Sequence, residues 1–191
     1  MKAINLCPNR IDYYSQLNNE QDPQIACQAT TAAQCIDIVD DVCLLKGPYK
    51  QPEDNLRRYC KTPDIMNYCV KSHGDKWNLH VSHPSEWADV LIMAINDLMG
   101  YKCARFESSL TLEKVFSDLE RGLPVQCAMR FLGISGHYVS AVGRTISGDL
   151  IINDPYKDWL HNRIDGFNVM YFPSDWKNHS KGYGIRFSRR A

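Results

Sequence analysis

The loop Asp22-Pro23-Gln24-Ile25-Ala26 runs into a stretch with no glycine or proline, residues 27–45 (CQATTAAQCIDIVDDVCLL). Within it Ala32, Cys35, Ile36, Val39, Val42 and Cys43 recur at helical spacing, so Cys27 is expected at a helix N-terminus. Backbone N–H groups and the positive end of the helix dipole there favour thiolate over thiol. Cys35 and Cys43 lie further along among Ile and Val and read as packing. A nucleophilic thiol needs a base, and His137 in LGISGHYVSAVG opens an alternating strand after a Gly- and Ser-rich approach. The following strand, LIIND, ends at Asp154, before Pro155. The midpoint between His137 and Asp154 falls in the turn predicted over Thr145 to Gly148, which puts both residues at the same end of one hairpin. An acid so placed fixes the tautomer of the ring and steadies its imidazolium form while the other ring nitrogen faces the thiol. That is the chemistry of acyl transfer through a thioester.

Each residue alone also has a plainer reading. Free cysteines are among the most buried residues, and a histidine at a strand start is commonly structural. The elements around them decide whether they can meet. Residues 47–84 carry Gly47, Pro48, Pro52, Pro63, Gly74 and Pro84 and read as short helices and loops covering one side, where substrate specificity could reside. A helix is predicted from a Ser85 cap to Gly100, with Val90, Leu91, Ala94, Ile95 and Leu98 on one stripe. Another is predicted from Thr111 to Arg121, ended by Gly122. After Pro124 the period changes to that of strands: VQCAMRF, HYVSAVGRT, DLIIND, NVMYF and YGIRF. Helices first and strands second give an α+β layout of one domain, 1–191. Its helical half, about 1–122, packs on an antiparallel sheet, about 123–191, with a cleft between them.

Bulk composition removes several alternatives. With 191 residues, 44% hydrophobic and 23% charged, the chain is an ordinary globular one. Lys plus Arg equals Asp plus Glu at 22 each, so no net field draws it to nucleic acid. No apolar run reaches the roughly 20 residues of a membrane-spanning helix. The first residues, with Asn9, Arg10 and Asp12, lack a signal peptide's apolar core, so a cytoplasmic start and reduced thiols for the eight cysteines are expected. His73, His80, His83, Cys60 and Cys69 match no Cys-x2-Cys metal pattern, and neither a metal nor a cofactor is expected. Trp77, Trp87, Trp159 and Trp176 read as core, whereas Tyr138 and Tyr156 flank the proposed site as candidate substrate contacts. Asp37, Asp40 and Asp41 read as the solvated face of the first helix.

The arrangement resembles the papain-like cysteine peptidases, and within them the C39-like peptidases related to bacteriocin-processing domains. A glutamine, Gln21, stands six residues before Cys27, and GHYVSAVG followed by LIINDPY is similar to that group's His strand and Asn-Asp-Pro ending. RGLPV before the sheet resembles its Gly-x-Pro-Val lead into a central strand. The resemblance spans about residues 16–156 and is dense at 21–35 and 122–156. It implies a papain-like fold, Cys27 as nucleophile, His137 as base and acid, Asp154 as orienting residue, and Gln21 with the Cys27 N–H as oxyanion hole. It further implies a peptide substrate, with the peptide cross-links of a bacterial cell wall as a narrower expectation for a phage-type lytic enzyme. Cys27-Gln28-Ala29 departs from the group's common Cys-Gly-Pro, though Gln28 and Ala29 suit a first helical turn. Two rivals remain at this level: an acyltransferase or amidase on the same fold, and a catalytically silent peptide-binding module.

Overall fold

The computed structural model describes residues 2–10, 13–40, 45–73, 87–131 and 134–190. In chain order these hold strand β1 (Ile4–Asn5), helices α1 (Cys27–Val39), α2 (Pro52–Tyr59), α3 (Pro63–His73) and α4 (Ala88–Met99), strand β2 (Ala104–Glu107) and helix α5 (Leu112–Glu120). There follow β3 (Val125–Phe131), β4 (Ile134–Arg144), β5 (Leu150–Asn153), β6 (Val169–Tyr171), α6 (Pro173–His179) and β7 (Ser180–Phe187). The seven strands form one antiparallel sheet in the order β2-β7-β3-β4-β5-β6, with β1 paired to β4. This is the expected α+β layout. The halves are less cleanly divided than the sequence implies, since β1 and β2 come from the helical half and α6 sits among the strands.

The sheet separates two apolar cores, and the period-two alternation of its strands does the sorting. On β3, Val125, Cys127, Met129 and Phe131 enter a core with Val115 and Leu119 of α5, Ile152, Tyr171 and Trp176. Gln126 turns to the other side, where its amide donates to the Gln28 carbonyl at 2.6 Å and to the Thr31 hydroxyl. Beyond it, Ile36 of α1, Leu56, Ile65, Leu91, Ile95 and Phe187 form the second core. Helix α1 is therefore enclosed by strands β3 and β4 on one side and α2 on another. Its residues from Cys27 to Ile36 are all buried, which explains a run of Ala and Thr in place of a polar stripe.

Helix ends follow the expected chemistry in part. Thr111 caps α5, its hydroxyl accepting from the Lys114 N–H at 3.3 Å, and Gly100 ends α4 at φ 69°. The cap position of α4 is Trp87, and Ser85, like Trp77, His80, His83, Asp41, Val42 and Cys43, lies outside the described residues, as does the His73 side chain. Asp40 is not merely solvated: it accepts from the Tyr101 hydroxyl at 2.9 Å. The hairpin of β4 and β5 closes through a Thr145 to Asp149 turn, with Ser140 opposite Asn153. That register carries His137 and Asp154 to the same end.

Candidate active site

The backbone of Asp154 and one of its carboxylate oxygens are held by hydrogen bonds besides the one to the histidine. Its N–H donates to the Gly166 carbonyl at 2.9 Å and its own carbonyl accepts from the Tyr13 hydroxyl at 2.5 Å. One carboxylate oxygen, Oδ1, accepts from the N–H groups of Tyr156 and Lys157 at 3.0 and 3.3 Å. The same oxygen lies 2.7 Å from Nε2 of His137, on the neighbouring strand. Both residues are buried, His137 with 5% of its surface exposed and Asp154 with none. Cys27 lines the same cleft as His137, and its side chain acts on the imidazole electrostatically.

Gly166 is needed for this arrangement, because a Cβ there would sit 2.1 Å from the Asp154 carbonyl oxygen. Gly166→Ala should therefore push the Asp154 backbone aside, costing about 1–3 kcal/mol of stability by overpacking and lowering turnover as well. Thermal melting and kinetics of the variant test this, and a wild-type pair of values would contradict it.

The charges in the site are coupled. Burial by itself works against a charged His137 ring, but the Asp154 charge, the hydrogen bond to it and the adjacent Cys27 outweigh burial and hold the ring's pKa at about 10, against an ordinary 6.5. Since the folded value exceeds the unfolded one, the charged ring stabilises the fold fully below pH 6.5, and that contribution is lost as pH rises through about 10. Melting temperatures of the wild type and His137→Gln should thus differ most at the acid end of this window and converge at its alkaline end. A gap constant across the window would show that the ring is not charged in the folded protein.

A cleft of about 320 Å³ opens over these groups, lined by Gln16, Gln24, Ile25, Cys27, Gly136, His137, Tyr156 and Trp159. Ala26, at the cap position of α1, offers no side-chain cap, and the first N–H groups of a helix have no partner within the helix itself. Trp159 meets the imidazole edge-on, with centroids 6.4 Å apart, and stacks on Tyr156 at 5.5 Å and 11°. The Lys157 ammonium lies 4.0 Å over the Trp159 ring. A larger hollow of about 840 Å³, lined by Tyr68, Ile92, Met93, Tyr101 and Phe106 among others, has no cysteine or histidine in its described lining.

The residues singled out in the sequence are not all brought together. Cys27, His137, Asp154 and Tyr156 converge. Tyr138 is not in the cleft lining, as the alternation of a strand dictates for the immediate neighbour of His137. Gln21 is not in the lining either: its side-chain amide donates to the Glu20 carbonyl at 3.4 Å, a long and weak bond. Trp159 serves both: it packs partly buried against the core that holds Tyr171 and Trp176, and it also lines the cleft. The signal that could have found it is its position three residues after Tyr156 in DPYKDW, the loop that leaves Asp154. The region assigned to specificity contributes no residue from 47–73 to the cleft; α2 grips the loop ahead of Cys27 instead.

The geometry defines a class, an α+β chain with a buried His–Asp pair set against a cysteine at a helix N-terminus. Residues 8–183 match the model of the Peptidase_C39 like family, and the chain belongs to that family. Membership supports a cysteine peptidase acting on peptides. No curated protein matches the chain. Among the described residues no helix is long and apolar enough to cross a membrane.

Proposed function

We propose that the protein is a papain-like cysteine peptidase in which Cys27, His137 and Asp154 form the catalytic triad. The observation that carries this reading is the His137 ring, held at 2.7 Å by Asp154 through Nε2 with the Cys27 thiol at hand in a substrate-sized cleft. With Nε2 committed to the carboxylate, Nδ1 is the nitrogen left for the thiol proton. The Cys27 thiolate attacks the peptide carbonyl carbon, and the oxyanion that forms is held by N–H groups of the first turn of α1. His137 then passes its proton to the leaving amine, leaving a thioester. Water, deprotonated by the now neutral ring, hydrolyses the thioester and restores the thiol.

Gln21 is the side-chain donor we assign to the oxyanion. Its weak bond to Glu20 leaves it free to turn towards a bound carbonyl, and donor geometry commonly tightens only in the complex with substrate. Gln21→Ala should lower kcat by about 10²-fold with little change in KM, because such a donor acts on the transition state. A rise in KM alone would remove Gln21 from this role. Asp154→Asn should be milder than loss of Cys27 or His137, since an amide oxygen still accepts from the ring.

The substrate class is a peptide, and a cell-wall cross-link is the narrower member of that class proposed here. The test is a screen of peptides and peptidoglycan fragments, with and without an added amine, using Cys27→Ala as control. Free peptide products support hydrolysis. Amide products formed only with added amine would make the protein an acyltransferase, and tight binding without turnover would make it a peptide-binding module.

A further inference from the structure

The loop that leads to Cys27 is held by a helix that takes no part in lining the cleft. Asp54 of α2 accepts the Glu20 N–H at 2.7 Å through Oδ2 and the Gln21 N–H at 3.3 Å through Oδ1. Three residues on, one turn along the same face, Arg57 donates from Nη1 to the Gln21 carbonyl and from Nη2 to the Asp22 carboxylate at 3.2 Å. Both peptide groups that flank the Gln21 α-carbon are thereby tied to one rigid element. Asp54 is fully buried and Arg57 is 2% exposed. Taking a carboxylate and a guanidinium out of water costs several kcal/mol each unless they are well bonded, and here the bonds recovered include those to this short loop.

The loop needs such restraint. Asp22 has φ 46°, a left-handed conformation that disfavours a residue with a Cβ by about 1–2 kcal/mol. The Arg57 bond to its carboxylate lies at this strained residue, where the chain turns into the Pro23–Ile25 turn and then Cys27.

We propose that Asp54 and Arg57 are positioning residues for peptide-bond cleavage, clamping the backbone of Gln21 so that its side chain can deliver an oxyanion donor at a fixed distance from Cys27. This rests on the peptidase reading and adds to it a role for α2. Neither residue touches substrate. The clamp acts on the oxyanion side of the site, whereas the Cys27–His137–Asp154 side is built from α1 and the β4–β5 hairpin.

That separation supplies the test. Acylation of Cys27 by p-nitrophenyl acetate passes through a tetrahedral oxyanion: the thiolate adds to the ester carbonyl, p-nitrophenolate leaves and a thioacetate remains. Alkylation by iodoacetamide displaces iodide at a saturated carbon and forms no oxyanion. Both rates are to be measured on the full chain carrying Asp54→Asn or Arg57→Lys, with the exposed Arg58→Ala as a control and Cys27→Ala as the blank. Each clamp variant should slow acylation about tenfold and leave alkylation within about twofold, while Arg58→Ala changes neither. Arg57→Lys keeps a cation and serves where Asp54→Asn does not fold. Acylation unchanged, or acylation and alkylation falling together in a variant that melts cooperatively, would overturn the clamp. Failure of the peptidase reading looks different: the wild type itself would then acylate no faster than Cys27→Ala.

Discussion

Cys27→Ala should reduce peptide turnover to the uncatalysed background while leaving the fold in place. In the proposed mechanism the Cys27 sulfur forms the covalent bond, and in triad enzymes loss of one member removes about 10⁴-fold or more of the rate. Replacing the thiol by hydrogen at the wall of an open cleft leaves little enclosed cavity, so the melting temperature should change far less than after a large-to-small change in either core. Hydrolysis assayed on the substrate found by the screen, beside a melting curve, checks both halves. Wild-type turnover by this variant would move the nucleophile elsewhere.

His137→Ala should match that loss of activity and add a loss of stability. Without the ring the thiol has no base and the leaving amine no proton. Asp154 would remain buried with its Oδ1 bonded only to the N–H groups of Tyr156 and Lys157. Among the described residues its other oxygen, Oδ2, has no donor within hydrogen-bonding distance. Removing one partner of a buried pair typically costs about 3–5 kcal/mol, and a destabilisation of that order is expected in denaturant unfolding. The contrast with Cys27→Ala is diagnostic. Equal activity loss with unequal stability loss is what a buried His–Asp pair beside a cleft-facing thiol requires, and a fully stable His137→Ala protein would mean that the pair is not charged.

How much of this was legible in the sequence depended on how local the determining physics was. The start of α1 at Cys27 could be read because a proline-bearing loop gives way to a glycine-free apolar repeat. The meeting of His137 with Asp154 could be read because one short turn sets the hairpin's register. Gly100, Thr111 and Gly122 marked helix ends by conformational rules that act within a few residues. What could not be read depended on distant parts of the chain. The short β1 and β2 owe their strand state to pairing with β4 and β7, and α6 to its seat against β3, β6 and β7. That Trp159 lines the cleft as well as packing against the core was not legible, because its aromatic character gives no sign of which way a loop will turn it. The grip of Asp54 and Arg57 on Gln21 joins residues more than thirty positions apart, and a Glu-Asp-Asn-Leu-Arg helix start looks in isolation like an ordinary solvated face.

The central claim is that Cys27 alone among the cysteines is a working nucleophile, and brief alkylation at neutral pH with mass mapping tests it most directly. The other described cysteines are enclosed. Burial pushes the thiols of Cys35, Cys103 and Cys127 up, and that of Cys69 up to about 11. Cys7 and Cys60 are fully buried as well. Cys27, by contrast, opens on the cleft beside His137. With limiting iodoacetamide, label should accumulate on Cys27 well before any other site, and His137→Ala should slow that labelling. Preferential labelling of Cys7, Cys60 or Cys103, or labelling of Cys27 indifferent to loss of His137, would contradict the account.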